Sequence, residues 1–540
     1  MMPVSGRGTS EAGPVAGDGR WASSGRRFAI ATPCRVATRA AAEAFARGGN
    51  AVDAAVTASA VLSVAYPHMC GIGGDLIALV ARPGLRSVVN ATGAAAAELQ
   101  PDRVRAEYAS MPVDGPLSVT VPGAVAGWAV LIETFGRLTL SEALAPAVAH
   151  AEEGTAVAGS LARALQRHRD RLLRDPGMRT VMVPDGRVPG EGDSLRQPAL
   201  AASLRAIAQE GPEVFYEGPV GRRFIAALRA LGSPMTCEDL RRHTTEVVPP
   251  LAQVYRGLDV LVPPPNSQGF VLAEILSCVE QGGIFPDHLG READVLARIF
   301  ALASADRDQF LADPQYTVVP VDHLLSRGHI QELLVRATPG AGRGAGQRRG
   351  TADTVGITAV GDDGLWVSIN HSLYDAFGSG ILDSATGIIA HNRGSAFSLD
   401  PASPNRLAAG HRPAHTLMPV MVSRGDSPVV ASATMGRSAH AQIHAQLLMG
   451  VIDQGLSAFD AVSRPRWLVG GLHADEGPRL VLERRVPTSV RALVARSQPD
   501  IVELSDWDEQ VGHAQLIVSD QPEQFDAASD PRADGSAVSG

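Results

Sequence analysis

Up to about residue 338 the apolar residues of this 540-residue chain recur mostly at helical spacing, and from Thr354 they alternate. That change of period governs what the chain can fold into. In D-T-V-G-I-T-A-V-G at 353–361, Val355, Ile357 and Ala359 share one face, and Thr354, Gly356 and Thr358 share the other. G-D-D-G at 361–364 reads as a hairpin turn and L-W-V-S-I-N as the return strand. Just upstream, the Gly/Arg-rich stretch at 339–350 has the composition of a flexible, exposed linker. Thr354 therefore stands at the head of a strand, directly after a segment that cannot fold on its own.

The pattern before the linker predicts a helix over 35–47, ended by G-G-N at 48–50. A second helix, capped by Asn50, runs to about Val64. This second helix is apolar nearly all round, which marks it as buried. Pro67 closes it, and C-G-I-G-G-D at 70–75 turns the chain into the strand L-I-A-L-V-A. The glycines there do not make a phosphate cradle, which needs strand, loop and helix in that order; they allow close backbone approach instead. A turn into a helix at 121–128 and a further helix at 140–154 follow. Residues 155–330 read as helical with short strands such as 258–262. Later strands are expected at 417–423 and 428–433, a helix from Ala439, and a last strand at 514–518. Helix-rich and sheet-rich halves of this kind fit a pair of sheets covered by helices. Residues 1–27 are Gly/Ser-rich without an apolar core segment, so they read as a disordered lead rather than a secretory signal. Order is expected from Phe28. No apolar stretch reaches membrane-spanning length, and the expected location is the cytoplasm.

Composition narrows the chemistry. The chain carries a net charge of −9 and lacks the clustered basic surface that phosphate recognition needs, so a nucleic-acid partner is not expected. All 48 basic residues are arginine, which excludes Ser-Lys catalysis, Schiff bases and a Walker-type lysine. Cys34, Cys70, Cys237 and Cys278 form no C-x-x-C pair and read as buried small hydrophobes. Cys70 stands out only for preceding the glycine turn. No residue cluster calls for a metal, a nucleotide or a flavin.

A threonine hydroxyl needs an adjacent base to act as a nucleophile. Its own α-amine, with a pKa of roughly 7.7–8.0, would serve once the preceding peptide bond is cut. The sequence resembles the γ-glutamyltransferase family of N-terminal-nucleophile hydrolases, and the likeness extends over most of the chain. It is carried by G-G-N-A-V-D-A-A-V at 48–56, P-H-M-C-G-I-G-G-D at 67–75, V-P-G-A-V-A-G-W at 121–128 and D-T-V-G-I-T-A-V-G-D-D-G at 353–364. S-L-Y-D-A-F-G-S-G-I at 372–381, T-G-I-I-A-H-N-R-G-S-A-F-S-L-D-P at 386–401 and R-P-A-H-T-L-M-P at 412–419 continue it. G-H-A-Q-L-I and D-P-R-A-D-G complete it near the C-terminus. The resemblance implies an α+β fold, a four-layer αββα sandwich, built from a precursor that cuts itself before Thr354. Residues 28–353 would form the large piece and 354–540 the small one, held together as a heterodimer; further dimerisation is left open. Thr354 would be both nucleophile and, through its α-amine, base. Ser372 would support the nucleophile, and the backbone N–H groups of Gly436 and Arg437 would form the oxyanion hole. No cofactor and no metal is implied.

The chain departs from the family pattern where a γ-glutamyl group would be gripped. N-A-T-G-A-A-A-A-E at 90–98 has no arginine, Ala396 stands for the expected aspartate and Arg393 for the glutamine. His415-Thr416 replaces a Ser-Ser pair, Tyr374 replaces an asparagine, and Arg437 replaces the second oxyanion glycine. These residues instead resemble the branch that includes oxamate-hydrolysing and acylase-type members. Arg393 would bind a carboxylate on the acyl group or form a structural ion pair. Tyr374, His415 and Thr416 are candidate substrate contacts, with a plain core histidine the alternative for His415; His68 is read as structural. Three functions stay open: an amidohydrolase or acyltransferase for a small anionic acyl amide, a genuine γ-glutamyl hydrolase of glutathione-like peptides, and an unprocessed, catalytically silent binding protein.

Overall fold

The computed structural model describes residues 20–338, 353–470, 479–498, 500–521 and 524–540. The linker expected at 339–350 lies outside the described residues, as do residues 1–19.

Among the described residues fourteen strands build the centre of the molecule: β1 (Ala22–Gly25), β2 (Phe28–Thr32), β3 (Asp75–Arg82), β4 (Leu85–Ala91), β5 (Glu246–Val248), β6 (Leu251–Tyr255), β7 (Leu258–Val262), β8 (Asp353–Gly361), β9 (Trp366–Tyr374), β10 (Val420–Arg424), β11 (Ser427–Thr434), β12 (Ala514–Gln521), β13 (Gln524–Ser529) and β14 (Ser536–Ser539). They form two seven-stranded antiparallel sheets. One runs β14-β2-β8-β9-β3-β4-β5, the other β1-β13-β12-β11-β10-β7-β6.

Alternation along the strands sorts their side chains into layers. In the first sheet Leu76, Ala78, Val80, Val355, Ile357, Ala359, Val367 and Ile369 face a helical layer. That layer contains α1 (Arg35–Ala46), α2 (Ala51–Ala65), α3 (Ala124–Phe135) and α4 (Leu140–Glu153). The intervening residues Ile77, Leu79, Ala81 and Val360 meet Leu261, Met421, Ala431 and Ile517 of the second sheet. That sheet's outer face, with Val260, Val262, Val420, Val422 and Leu516, packs under α5 (Gly269–Gln281), α6 (Ala293–Phe310), α7 (Arg327–Ala337) and α8 (His440–Leu448). The result is helix, sheet, sheet, helix. Every residue of α2 is buried, and Asn50 caps it reciprocally: Val52 N–H donates to the Asn50 side chain at 2.9 Å, and Asn50 N–H donates to Asp53 at 2.8 Å. Among the described residues no helix is long and apolar enough to cross a membrane.

Three details differ from the sequence reading. Order begins earlier than Phe28: within the stretch read as lead, Trp21 is buried and β1 pairs with β13, Ala22 opposite Ala528. A Gly/Ser-rich composition hides a short strand whose stability comes from an open sheet edge rather than from its own side chains. The strand at 514–518 is not the last, since β13 follows it and lies between β12 and β1, and β14 closes the edge of the first sheet beside β2. Cys34, Cys70 and Cys278 are buried as expected, but Cys237 is exposed at the first position of a five-residue helix.

Both sheets take strands from each side of the 353–354 junction. The first draws β2, β3, β4 and β5 from before it and β8, β9 and β14 from after it. Gly356 marks how closely the layers approach. A Cβ there would lie 2.7 Å from the backbone carbonyl carbon of Ala433 in the facing sheet.

Candidate active site

The junction sits where β8 enters the sandwich. Asp353 pairs with Tyr374 and Val355 with His371, so Ser372 and Leu373 together oppose Thr354. This bulge re-aims the Ser372 side chain. The Thr354 hydroxyl, fully buried, donates to Ser372 Oγ at 3.1 Å, and Ser372 Oγ donates in turn to the carbonyl of Asp353 at 2.5 Å. The N–H of Tyr374 donates to the same Oγ at 2.8 Å. Ser372 therefore spans from the threonine hydroxyl to the carbonyl of the peptide bond that precedes it. Gly73 and Gly74 make this possible: a Cβ on Gly74 would come within 2.4 Å of the Ser372 carbonyl oxygen, and one on Gly73 within 2.1 Å of Ile389 O.

The backbone here is strained. Tyr374 has φ +80° and Arg437 φ +59°, both in the left-handed region that side chains disfavour. The loop Met435–Arg437 follows β11, and Arg437 Nη2 lies 3.9 Å from Asp353 Oδ1. A glycine would adopt the conformation of residue 437 without cost, so arginine preserves the turn at an energetic penalty. Burial pushes the Asp353 carboxyl up to about 6, against the opposing pull of Arg437.

The candidate substrate residues line up behind Tyr374. The Arg393 guanidinium lies over the Tyr374 ring, 3.7 Å from its centroid, and donates to Thr416 Oγ1 at 3.0 Å. It is buried. His415 turns elsewhere: its Nδ1 accepts from Leu417 N–H at 3.2 Å and its Nε2 donates to Asp75 Oδ2 at 3.2 Å. With both ring nitrogens engaged inside the protein, His415 fits the core reading and serves to orient Thr416. Burial, reinforced by Arg393, lowers its pKa to about 3, so it stays neutral. His391 faces the same carboxylate, Nδ1 to Oδ2 at 3.4 Å, and its Nε2 donates to Thr120 O at 2.7 Å. Burial alone would raise Asp75; the two histidines more than offset it and hold its carboxyl well below the usual range. His68 packs between Tyr66 and Phe377, in keeping with a structural role, and burial drives the Cys70 thiol far above its ordinary value.

The family model described as Gamma-glutamyltranspeptidase matches residues 37–540. The chain belongs to the gamma-glutamyltranspeptidase family. It is an enzyme of the N-terminal-nucleophile hydrolase class, with the four-layer fold of that class. Among curated relatives, the glutathione hydrolase-like YwrD proenzyme of Bacillus subtilis is 32% identical over 523 residues, spanning 95% of this chain and 98% of the relative. The oxamate amidohydrolase proenzyme of Klebsiella pneumoniae is 34% identical over 517 residues, spanning 94% and 97%. Among solved structures, a cephalosporin acylase from Bacillus halodurans superposes with a TM-score of 0.89 at 32% identity, each chain covered to 99%.

In this gamma-glutamyltranspeptidase-family chain the structure adds residues that sequence reasoning did not single out. Asp75 and His391 lie inside motifs that carried the resemblance, yet neither stood out there. Gln268, just before α5, donates to Arg437 O at 3.3 Å and Thr416 O at 2.9 Å, joining the loop at 437 to the Arg393 side of the site. Arg307 of α6 supports it, donating to Ser438 O at 2.7 Å and Gln268 Oε1 at 3.4 Å. No sequence signal ties Gln268 or Arg307 to the site, because each acts through backbone carbonyls of a distant segment.

Proposed function

We propose that this chain is a self-processing threonine amidohydrolase whose acyl donor is a small amide bearing a carboxylate. The observation that carries the reading is the Thr354–Ser372–Asp353 hydrogen-bond chain across the junction. In the precursor, Thr354 Oγ attacks the Asp353 carbonyl carbon while Ser372 accepts the hydroxyl proton and stabilises the carbonyl oxygen. The C–N bond breaks, the proton passes to the departing nitrogen, and an ester links Asp353 to Thr354. Water hydrolyses that ester and leaves Asp353 with a carboxylate and Thr354 with a free α-amine. The proenzyme names of the relatives support this maturation.

In the mature enzyme the α-amine takes the Thr354 hydroxyl proton as the oxygen attacks the substrate carbonyl. Backbone N–H groups at Gly436 and Arg437 stabilise the oxyanion. The amine leaving group departs with the proton, and water or a second amine resolves the acyl-enzyme. Arg393, seated on the Tyr374 ring and Thr416 hydroxyl beside the junction, supplies the cation for the acyl carboxylate. The oxamate amidohydrolase and acylase relatives are consistent with such a donor.

The test is a substrate panel of oxamate, glutaryl amides and a chromogenic γ-glutamyl anilide, assayed with wild type, Thr354→Ala and Arg393→Ala. Thr354→Ala is expected to abolish turnover. Arg393→Ala should lower kcat/KM for anionic acyl groups by about 10- to 100-fold while sparing neutral ones. Preference for the γ-glutamyl anilide would favour the glutathione-type function instead, and turnover by Thr354→Ala would contradict the nucleophile.

A further inference from the structure

Away from this site, the described residues bring Glu274 of α5, Asp306 of α6 and His329 of α7 together, with ligand atoms all within 4.8 Å of one another. All three are buried, Glu274 completely. His329 Nε2 lies 2.8 Å from Asp306 Oδ2 and 3.7 Å from Glu274 Oε1. Neither carboxyl oxygen of Glu274 has a hydrogen-bond partner.

That last fact is hard to satisfy with protein groups alone. An ionised Glu274 leaves a negative charge buried beside a second carboxylate. A protonated one still needs an acceptor, yet neither of its oxygens has a hydrogen-bond partner, and His329 Nε2, 3.7 Å away, is engaged with Asp306. A cation among the three groups answers both problems. One imidazole nitrogen and two carboxylate oxygens form a donor set suited to zinc, which takes such ligands at about 2.0–2.2 Å. Ligand atoms around it then sit roughly 3–4 Å apart, close to the spacing present.

We propose that Glu274, Asp306 and His329 bind a divalent transition-metal ion, zinc by its donor set, as a structural clip joining α5, α6 and α7. The clip lies behind the active site rather than in it. Asp306 adjoins Arg307, which holds Ser438 and Gln268, and among the described residues α7 is the last helix before the junction. The ion would fix the helices that support the 437 loop and fasten the end of the large piece after cleavage.

The experiment measures metal content of the purified full-length protein by mass spectrometry, then thermal unfolding with EDTA and with added zinc chloride. About one equivalent of zinc is expected, or a rise in Tm of about 2–5 °C at zinc concentrations near 100 times its Kd. Glu274→Gln, which keeps the shape, and His329→Gln should lose both. Wild-type protein free of metal and with a Tm unmoved by zinc or EDTA would overturn the proposal, even if the variants failed to fold. So would a Glu274→Gln variant that retains wild-type zinc content.

Discussion

Ser372 touches both partners of the 353–354 peptide bond, and Asp353 meets the same site with a carboxyl that burial raises. Each carries a prediction. Ser372→Ala should slow the appearance of the two fragments by about 10²- to 10³-fold, measured by gel densitometry over time, while Ser372→Thr keeps a hydroxyl and retains most of the rate. Asp353 has a folded pKa of about 6 against an ordinary value near 3.9. The folded precursor thus holds this proton more tightly than the unfolded chain does. Its stabilising contribution is complete below about pH 4 and is lost as pH rises to about 6. In a Thr354→Ala background, which preserves the precursor, denaturant unfolding should therefore lose about 1–3 kcal/mol across that window. Adding Asp353→Asn should flatten the profile. Thr354, Ser372, Tyr374, Arg393 and Thr416 were all legible in the sequence, because they lie in short motifs whose order matches the family. Asp75 and His391 were not, since a carboxylate shared by two histidines over 300 residues away leaves no local pattern.

At the scale of elements, the hairpin β8–β9 and the buried helix α2 follow directly from period and capping. Alternation in β8 also sorted its two faces, and the structure shows that the one with Val355, Ile357 and Ala359 meets the helices. The same alternation left Gly356 on the face toward the second sheet, where backbone meets backbone. Gly356→Ala should push Ala433 and its strand away and cost about 1–3 kcal/mol in chemical denaturation, despite a favourable φ for alanine. Strands β1, β13 and β14 were illegible for the opposite reason. They are four to six residues long, built largely of Ala and Ser, and are specified by the edges they pair with rather than by their own apolar period.

For the whole molecule, interleaving decides what cleavage can do. Each sheet holds hydrogen-bonded strands from both sides of residues 353 and 354, and the core between the sheets draws on both. A cut at that bond frees a chain end without freeing a domain, so the two pieces stay one folded unit. Local period divided the chain into helix-rich and sheet-rich halves that fit one pair of sheets covered by helices; which distant strands pair, and so how the halves interleave, a local period cannot report. The decisive measurement is N-terminal sequencing, with intact masses, of native active protein collected as one peak from size exclusion. Two co-eluting chains of about 37 and about 19 kDa are predicted, the smaller beginning Thr354-Val355-Gly356. An active preparation containing only the unbroken 540-residue chain, or a small fragment beginning elsewhere, would contradict the account.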